Sequence, residues 1–344
     1  MAQKSTLFPD RRKKRLLIAT FFVILIITMM ITITAGVYPI TVNDVYLTVF
    51  QHLGFGNPLG MTNDIVVWEI RIPRVILAAL VGAALAISGA VFQGVFRNPL
   101  VEPYIMGVSS GAAVGAGIAI MFGFIVISLQ CTAFLFGVFA AVLAYSFATI
   151  RRETPLVNLI LAGIVVNAMF DAGLAILKTI APYGKLQDLV FWLMGGFGGT
   201  KWGDVSSVGV QIFIGVVITS LLGWQLNLLA VGEEDARSLG LHVQRVKAIL
   251  LGLAIYLTSI SVATVGIIAW VGLIMPHISR MIVGPDHRIL LPASALIGAI
   301  FLVLCDTLAR TVMTAEIPIS IITSAIGGPY LLYLIRKNRS FYFR

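Results

Sequence analysis

Charge is scarce in this sequence, and negative charge is the scarcer sign. Charged residues make up 11% of the 344 residues, with 15 Asp and Glu against 24 Lys and Arg, so the net charge is +9. Hydrophobic residues make up 59%, and the mean hydropathy is +0.99. Water-soluble domains of this length are less apolar. The composition therefore excludes an ordinary soluble domain and indicates a membrane protein with many spans.

Cysteine is nearly absent, and the common enzyme motifs are missing. The two cysteines, Cys131 and Cys305, lie far apart in apolar segments without metal-ligand spacing, which predicts buried packing residues. The sequence has no His-Glu-x-x-His zinc helix and no Gly-x-Ser-x-Gly nucleophile elbow. Residues 198–201 read Gly-Gly-Thr-Lys but lack the spacing of a phosphate-binding loop. We therefore expect a chain that is no enzyme and holds no metal.

Ionisable residues within the apolar segments are few. Asn167 and Asp171 lie four apart on one helix face, and Lys178 follows seven residues after Asp171. Asp306 precedes Arg310 by four residues. Such residues can mark a transport path, and the alternative is internal pairing, for instance of Asp306 with Arg310. A carrier driven by protons or sodium would show a richer ionisable core, so an ion-coupled secondary transporter and an intramembrane enzyme are disfavoured.

Ten apolar segments are candidates to cross the membrane, since about 20 apolar residues span a hydrocarbon core of roughly 30 Å. The stretch 248–283 is almost unbroken, so hydropathy alone allows eight to ten spans, and the division near Gly266 is an inference. The predicted spans are residues 16–35, 74–94, 107–123, 125–149, 156–180, 205–228, 244–267, 268–283, 289–311 and 318–335.

The distribution of cations predicts the topology, because Lys and Arg concentrate on the cytoplasmic side of membrane proteins. With the N-terminus inside and ten spans alternating, 18 of the 24 Lys and Arg residues fall on the cytoplasmic side. Both termini and residues 232–241 are then cytoplasmic, and residues 185–202 are extracytoplasmic. The apolar run 16–35 is longer than that of a secretory signal, so it predicts a retained first span. The positive net charge reflects topology, and we expect no nucleic-acid partner.

One polar stretch interrupts the apolar second half of the chain. It opens with the acids Glu233, Glu234 and Asp235, continues through Arg237 and closes with Gly240. Acids favour the start of a helix, a cation favours its end, and glycine readily adopts the conformation that stops it. The pattern predicts a helix of one or two turns outside the hydrocarbon, which a soluble partner could push. The alternative is an ordinary solvated loop.

Three further elements lie outside the predicted spans. Arg71 and Arg74 flank an Ile-Pro pair at the outer end of the second span, and they either bind a partner or anchor to lipid headgroups. The loop 97–103 contains two prolines, which fix φ and stiffen a functional loop or a simple tight turn. The apolar core of the segment 185–202, residues 189–194, predicts a short helix on the membrane surface.

Five blocks of sequence, taken together, are specific for one family. In chain order they are Arg71-Ile72-Pro73-Arg74 through Gly82 to Gly89, Asn98-Pro99-Leu100 through Gly107 to Ala112, Gly232 to Gly240, Gly272 to Arg280 through Asp286 to Pro292, and Glu316 to Ile319. With these blocks the sequence resembles the FecCD-type permeases of bacterial and archaeal ABC importers. Members of that family take up iron–siderophore complexes, vitamin B12, haem and, in some cases, molybdate or tungstate.

The resemblance implies an all-α polytopic fold of about ten transmembrane helices, similar to the vitamin B12 permease of type II ABC importers. Residues 1–344 would form a single permease domain in the cell membrane of a bacterium or archaeon. The implied partners are a second copy in a homodimer, two ATP-binding cassette ATPase subunits and an extracytoplasmic substrate-binding protein. The chain has no Walker motif, so the partner ATPase would bind ATP and Mg and this chain would hold no cofactor.

The resemblance also implies two contact sites. Arg71, Arg74 and Arg310 match arginines at the outer rim that receive glutamates of the binding protein. The polar stretch matches the coupling helix that sits in a groove of the ATPase. Its residues are Glu233, Glu234, Asp235, Ala236, Arg237, Ser238, Leu239 and Gly240.

The implied gate and pathway lie in other segments. Asn98, Pro99 and Leu100 match an inner gate, and a second gate element falls near Thr154. Asn167 lies in the fifth predicted span, which lines the pathway of this family together with the tenth span.

These two spans carry few charges. A bare ion needs a dense cage of oxygen or nitrogen ligands, so such a wall suits a large amphipathic chelate better. We therefore favour an iron–siderophore or corrinoid cargo, with haem next and an oxyanion such as molybdate or tungstate last. The polar side chains of the two spans include Asn158, Asn167, Ser320, Thr323 and Ser324.

Overall fold

The computed structural model describes residues 11–55, 61–123, 128–151, 153–313 and 315–337. These residues form helices joined by short turns, and they form no strand. The chain ends, on which the prediction of cytoplasmic termini depends, lie outside the described residues. The same holds for residues 125–127 at the start of the fourth predicted span.

Sixteen α-helices lie in the described part of the chain. Two π-helical segments, Ile65–Arg71 and Val205–Gly209, and a 3-10 turn, Pro103–Met106, accompany them. In chain order the helices are α1 (Arg11–Thr34), α2 (Val42–His52), α3 (Met61–Asp64), α4 (Ile72–Phe96), α5 (Val108–Phe122), α6 (Leu129–Ala148), α7 (Leu156–Ile180), α8 (Tyr183–Met194), α9 (Trp202–Asp204), α10 (Val210–Leu221), α11 (Gly223–Val231), α12 (Glu233–Ser238), α13 (Val243–Val265), α14 (Val271–Val283), α15 (His287–Thr311) and α16 (Ile319–Lys337).

The apolar helices of the described chain coincide with the ten predicted spans. Three of them, within α5, α14 and α16, are shorter than the rest. The prediction of an all-α polytopic membrane protein is confirmed. The seven segments that are long and apolar enough to cross a membrane are Leu16–Thr34, Thr62–Phe96, Leu129–Ala148, Leu156–Ile180, Trp202–Leu221, Val243–Val265 and His287–Thr311.

Two spans differ in detail from their predictions. The second does not begin at residue 74, because helical structure continues without a break from Met61 through the π-helical segment into α4. The sixth is interrupted at Leu222 and continues as α11. Next to the interruption, Gly223 lies against the start of α15, where a Cβ would approach the His287 carbonyl oxygen to 2.8 Å. Hydropathy averages over such a break, because apolar residues flank it on both sides.

The division near Gly266 is confirmed. α13 ends at Val265, and α14 begins at Val271 after five non-helical residues. Gly266 has φ +75, and a Cβ at this position would lie 2.2 Å from the Trp192 carbonyl oxygen. Only glycine combines a positive φ with so close a backbone approach. Trp270, at the other end of the break, also has a positive φ of 74°, which is unusual for a bulky residue.

Short helices lie between the predicted spans. The predicted surface helix at residues 189–194 is part of α8, which begins earlier, at Tyr183. Sequence analysis did not predict α2, whose start is fixed by reciprocal hydrogen bonds between Thr41 and Asp44. This capping box occupies two backbone donors that the first helical turn leaves without partners.

α4 is the central helix of the described structure. An apolar 18-residue stretch of the segment Thr62–Phe96, most of which is α4, is 83% buried, against 17% for that of α1. α4 packs on α13, α14 and α15. Small residues allow this close contact: a Cβ on Gly82 would lie 2.3 Å from the Gly298 carbonyl oxygen. A Cβ on Gly89 would lie 1.7 Å from the Gly272 carbonyl oxygen. Membrane helices associate through such packing because lipid supplies no hydrophobic drive between them.

Gly89→Ala is expected to separate α4 from α14, because the added methyl group would overlap the Gly272 carbonyl group. Overpacking a tight core costs about 1–3 kcal/mol, and backbone atoms leave the least room for relaxation. We expect a lower unfolding temperature in detergent and a smaller monodisperse fraction. Gly252→Ala in α13 is the matched control, because its methyl group would meet open space. Equal stability of the two variants would contradict the close packing.

Candidate functional site

The predicted coupling segment is a short helix packed on the bundle. α12 lies between α11 and α13, with Glu233, Glu234 and Asp235 in its first turn and Arg237 in its last. Gly240 follows with φ +84, a conformation that glycine adopts readily. The helix predicted from the charge pattern is therefore present, and the alternative of a loop without helix is wrong.

The two faces of α12 differ in character. Ala236 is fully buried against the bundle. Glu234, Asp235 and Ser238 are exposed, and Leu239, directly after the helix, is 65% exposed. An acidic surface with one apolar side chain is therefore presented away from the protein.

Lys247 of α13 joins α12 to the turn that precedes α7. Its ammonium Nζ donates to Glu233 Oε1 at 2.6 Å and to the Thr154 carbonyl oxygen at 2.9 Å. The Lys247 side chain is only 1% exposed, and burial of a charge is tolerated when the charge is paired and hydrogen-bonded. Sequence analysis did not single out Lys247. The available signal was a lysine one turn inside a helix whose later residues are mainly apolar.

A second contact joins the same two segments at the surface. Arg237 Nη2 donates to Glu153 Oε1 at 3.0 Å, and both side chains are exposed. Exposed pairs of this kind contribute about 0–1 kcal/mol, so the buried contact of Lys247 is the stronger tie. We call Glu153, Thr154, Glu233, Arg237 and Lys247 the inner cluster, after the side of the membrane predicted for it.

Thr154, a predicted gate residue, is held inside the turn between α6 and α7. Its side chain is buried, and its Oγ1 lies 3.0 Å from Thr149 Oγ1 and 3.4 Å from the Tyr145 hydroxyl group. Two backbone hydrogen bonds between Ile150 and Glu153, of 2.8 and 2.9 Å, close the turn just before Thr154. The position of Thr154 is therefore fixed from both sides.

The predicted gate loop at Asn98–Leu100 is a separate, exposed turn. Asn98 Oδ1 accepts from the Leu100 backbone N–H at 3.0 Å. Arg97 before it has φ 50, a left-handed conformation that ends α4. Leu100 is largely exposed. Among the described residues, no hydrogen bond joins this loop to Thr154, so the two predicted gate elements are structurally distinct.

Asn167, predicted to line the pathway, uses its amide group inside the subunit. Its Oδ1 accepts from Ser110 Oγ at 2.7 Å, and its Nδ2 donates to the carbonyl oxygens of Tyr104 and Ile105, both at 3.3 Å. The side chain therefore ties α7 to the 3-10 turn and to α5. Asp171, on the next turn of α7, is exposed.

At the opposite end of the bundle, Arg74 joins two carboxylates. Its Nε donates to both oxygens of Asp306 at 3.0 and 3.1 Å, and its Nη2 donates to Asp306 Oδ1 at 2.9 Å. Its Nη1 donates to Glu316 Oε1 at 2.7 Å. Arg310 Nε lies 3.6 Å from Asp306 Oδ2, which confirms the predicted pairing. We call Arg71, Arg74, Asp306, Arg310 and Glu316 the outer cluster, after the side of the membrane predicted for it.

The other two arginines of the outer cluster hold the end of α1. Arg71 donates to the carbonyl oxygens of Ile33, Thr34 and Tyr38 at 2.8, 2.9 and 2.5 Å. Arg310 donates to the carbonyl oxygens of Thr32 and Ala35. Cations at a helix C-terminus satisfy the last carbonyl groups and oppose the negative end of the helix dipole.

The structure thus brings Arg71, Arg74 and Arg310 together, as predicted, but it buries their side chains, which are 5%, 7% and 8% exposed. Free headgroup anchors would be more exposed, so that alternative is disfavoured. Docking of a binding protein stays a prediction. Glu316 is the accessible member of the outer cluster, at 53% exposure, and the hydrogen bond from Arg74 holds the pKa of its carboxyl group below the usual range.

Arg74 lines two cavities. One of about 330 Å³ is lined by Glu316, Trp192 and the glycines at 195, 196 and 198. The other, of about 550 Å³, is lined by Glu69, Lys201 and Trp202 among others. Arg74 is therefore a member of the outer cluster that lines both cavities, and Glu316 lines the first.

Neither cysteine belongs to a candidate site. Cys305 is buried, as predicted, whereas Cys131, near the start of α6, is exposed, so the prediction of burial is wrong there. The mean hydropathy of a segment does not reveal which face of its helix a residue occupies. In the described chain, no group of three or more His, Cys, Asp and Glu residues is placed to hold a metal ion.

The sequence is similar to those of known transport proteins. The sequence model of the FecCD transport family matches residues 24–337. The cobalamin import system permease protein BtuC of Halobacterium salinarum is 45% identical over 83% of this chain and 77% of its own length. The hemin transport system permease protein HmuU of Yersinia pestis is 42% identical over 81% of this chain and 86% of its own.

Two further similarities bear on function and fold. The molybdate import system permease protein MolB of Haemophilus influenzae is 41% identical over 79% of this chain and 81% of its own. A solved structure of a metal-chelate type ABC transporter in an inward-facing conformation superposes with a TM-score of 0.83. It is 37% identical and covers 93% of this chain and 99% of its own. The chain is therefore a member of the FecCD transport family.

Proposed function

We propose that this chain is the membrane-spanning permease subunit of an ATP-driven ABC importer and that the chemistry of ATP hydrolysis belongs to a separate subunit. The observation that carries the proposal is α12, an acidic helix outside the apolar spans that a buried lysine ties to the start of α7. Such a helix can receive a displacement from a soluble partner and pass it into the bundle. The names of the relatives, which are permeases of import systems, support the same function.

The exposed face of α12 is the proposed contact with the ATPase. Glu234, Asp235, Ser238 and Leu239 point away from the bundle, so a partner can reach them without rearrangement of the permease. Two ATPase subunits would bind ATP and Mg, one against each permease of a homodimer. Residues 232–241 then lie in the cytoplasm, in agreement with the cation distribution.

The faces of α7 and α16 are the proposed walls of the pathway between two copies of the chain. Only 22% of an apolar 18-residue stretch of α7 is buried. The exposed residues of α7 include Leu161, Ile164 and Val165. On α16, Ile321 and Ile326 are exposed. Apolar side chains can face lipid equally well, so the resemblance to the family directs this assignment.

The inner gate is proposed to comprise the Asn98–Leu100 loop and the turn at Thr154. The first is exposed and carries an apolar side chain at Leu100, which can close on its counterpart in the second copy. The second lies at the start of α7 and is linked to α12, so its position can follow the ATPase.

The outer cluster is the proposed docking site for an extracytoplasmic binding protein. Because Arg71, Arg74 and Arg310 already have partners, a carboxylate of the binding protein would have to exchange with one of them. Glu316, which is bound to Arg74, is the exposed partner. If a carboxylate of the binding protein took its place on Arg74, the charge of the arginine's surroundings would stay the same. Complementary charges at such an interface raise association rates and make them depend on salt.

The proposed cargo is a metal chelate, such as an iron–siderophore complex or a corrinoid. The exposed surfaces of α7 and α16 are mainly apolar, with few groups that could ligate a bare ion. Haem is the second choice and an oxyanion the third. The relatives are named for cobalamin, hemin and molybdate, so selection within the family rests on features that differ between them.

The proposed topology is tested with single cysteines in a background without Cys131 and Cys305. Ser238→Cys is expected to react with a membrane-impermeant maleimide only from the cytoplasmic side, and Lys201→Cys only from outside. Both positions are exposed, so each cysteine should react. Labelling after solubilisation checks this point. Reaction of Ser238→Cys from outside would overturn both the topology and the coupling assignment.

Glu234→Lys is expected to abolish functional contact with the ATPase while leaving the bundle intact, since Glu234 is exposed. Glu233 is less suitable, because a lysine there would face the buried ammonium group of Lys247. We expect normal membrane levels and a loss of ATPase co-purification of about tenfold or more, as for truncation of close charge pairs at interfaces. Asp188→Lys, an exposed charge reversal on α8, is the control. Unchanged ATPase binding and uptake in Glu234→Lys would rule out this contact.

The cargo is tested with the binding protein encoded beside this permease. Equilibrium binding of ferric siderophores, cobalamin, haem and molybdate should give the highest affinity for a chelate or corrinoid. The same compound should enter vesicles that contain the complete transporter, in an ATP-dependent manner. Tight binding of molybdate alone would refute the chelate and leave the permease function standing.

A further inference from the structure

Lys247 is the one buried contact that links the helix proposed to meet the ATPase with the segment proposed to form a gate, among the hydrogen bonds described above. Its ammonium group bridges a side chain of α12 and the backbone of the turn before α7, at 2.6 and 2.9 Å. The bridge is short, and its lysine is shielded from water. A contact with these properties transmits a displacement better than an exposed pair that water can replace.

A neighbouring contact of α12 reaches the same short segment as this bridge. α12 is attached at its first residue, Glu233, through Lys247 and at Arg237 through Glu153. Both contacts end on the consecutive residues Glu153 and Thr154. A shift of α12 therefore acts on one short segment of chain.

The segment on which these contacts converge continues directly into a pathway helix. Pro155 follows Thr154 with φ −60 and precedes Leu156, the first residue of α7. Proline fixes φ, so the link between the turn and α7 has little freedom. Thr154 is also hydrogen-bonded on its other side, to Thr149. A displacement of its carbonyl group thus moves the start of α7 together with the turn.

α13 supplies a fixed base for the bridge. The side chain of Lys247 is buried between α12 and the turn, and the next turns of α13 bury Leu250, Leu251 and Ala254. The ammonium group is held by a helix that is largely enclosed by the bundle. The bridge is therefore anchored on a part of α13 that the bundle holds in place.

We propose that Lys247 is a positioning residue that couples movement of α12 to the gate turn at Thr154. The proposal rests on the proposed function and adds a residue to it. In this structure, the ammonium group binds Glu233 and the Thr154 carbonyl group at the same time. When the ATPase shifts α12, the same group carries the turn and the start of α7 with it.

Lys247→Met is the first test, because methionine fills the volume of the lysine stem and removes the ammonium group. The exposed residues of α12 are unchanged, so ATPase binding should persist. In reconstituted vesicles with the ATPase and the binding protein, we expect cargo transported per ATP hydrolysed to fall about tenfold, within the usual range of coupling between sites. ATP hydrolysis itself should change less than transport. Arg245→Gln, an exposed change two residues earlier on α13, is the matched control and should retain the wild-type ratio.

A purely structural role is separated from coupling by the double variant Glu233→Gln/Lys247→Met. Removing both charges relieves the carboxylate left unpaired in the single variant, so thermal stability should recover toward wild type. The transport-to-ATP ratio should stay low, because the bridge is still missing. Recovery of both quantities would show that Lys247 acts only on stability and would overturn the proposal.

Accessibility of the start of α7 gives a second readout. A cysteine replacing the exposed Val157 should change its labelling rate when ATP and vanadate trap the wild-type transporter, and this response should vanish in Lys247→Met. If Lys247→Met kept both the wild-type ratio of transport to ATP hydrolysis and the wild-type change in labelling, only the coupling role would be overturned. Absence of ATP-dependent uptake by the wild-type chain would overturn the proposed function, and the coupling role with it.

Discussion

Close backbone contact around α4 is the constraint on which the rest of the structure depends. In lipid, apolar side chains gain nothing by leaving the solvent for one another, so packing distance decides which helices associate. Gly82 against Gly298 and Gly89 against Gly272 bring α4 within backbone contact of α15 and α14. These contacts fix the interior of the bundle and leave α1, α7 and α10 with mostly exposed apolar faces. The surfaces proposed for the second copy and the cargo are those that α4 does not use.

Charged groups follow the same logic at the two ends of the bundle. Buried charges are stable only when paired or hydrogen-bonded. The inner cluster balances Lys247 and Arg237 with Glu233 and Glu153. The outer cluster has one more cation than anion among its five members. Carbonyl groups at the end of α1 accept from Arg71, which has no carboxylate partner in the cluster, and from Arg310, which also pairs with Asp306. Each cluster joins segments that are distant in sequence, so each can report a change in one helix to another.

The sequence predicted the fold better than the sites, and the physical reason is the range of the interactions. Hydropathy and glycine act locally, so the ten spans and the break at Gly266 could be predicted. The charge pattern of residues 233–240 likewise predicted α12. The pairing of Arg74 with Glu316 spans 242 residues, and no spacing rule reveals it. Lys247 was missed for the same reason: its role depends on which segments pack beside α13.

The attachment of α1 has a consequence for biosynthesis. Its last carbonyl groups are held by Arg71 and by Arg310, whose partners Ala35 and Thr32 precede it by 275 and 278 residues. α1 is synthesised before α15, so Arg71 alone can hold its end until Arg310 has been added to the chain. Insertion order and docking order differ at this helix. Its final packing therefore requires α15, and a chain truncated before α15 would leave α1 without the hydrogen bonds from Arg310.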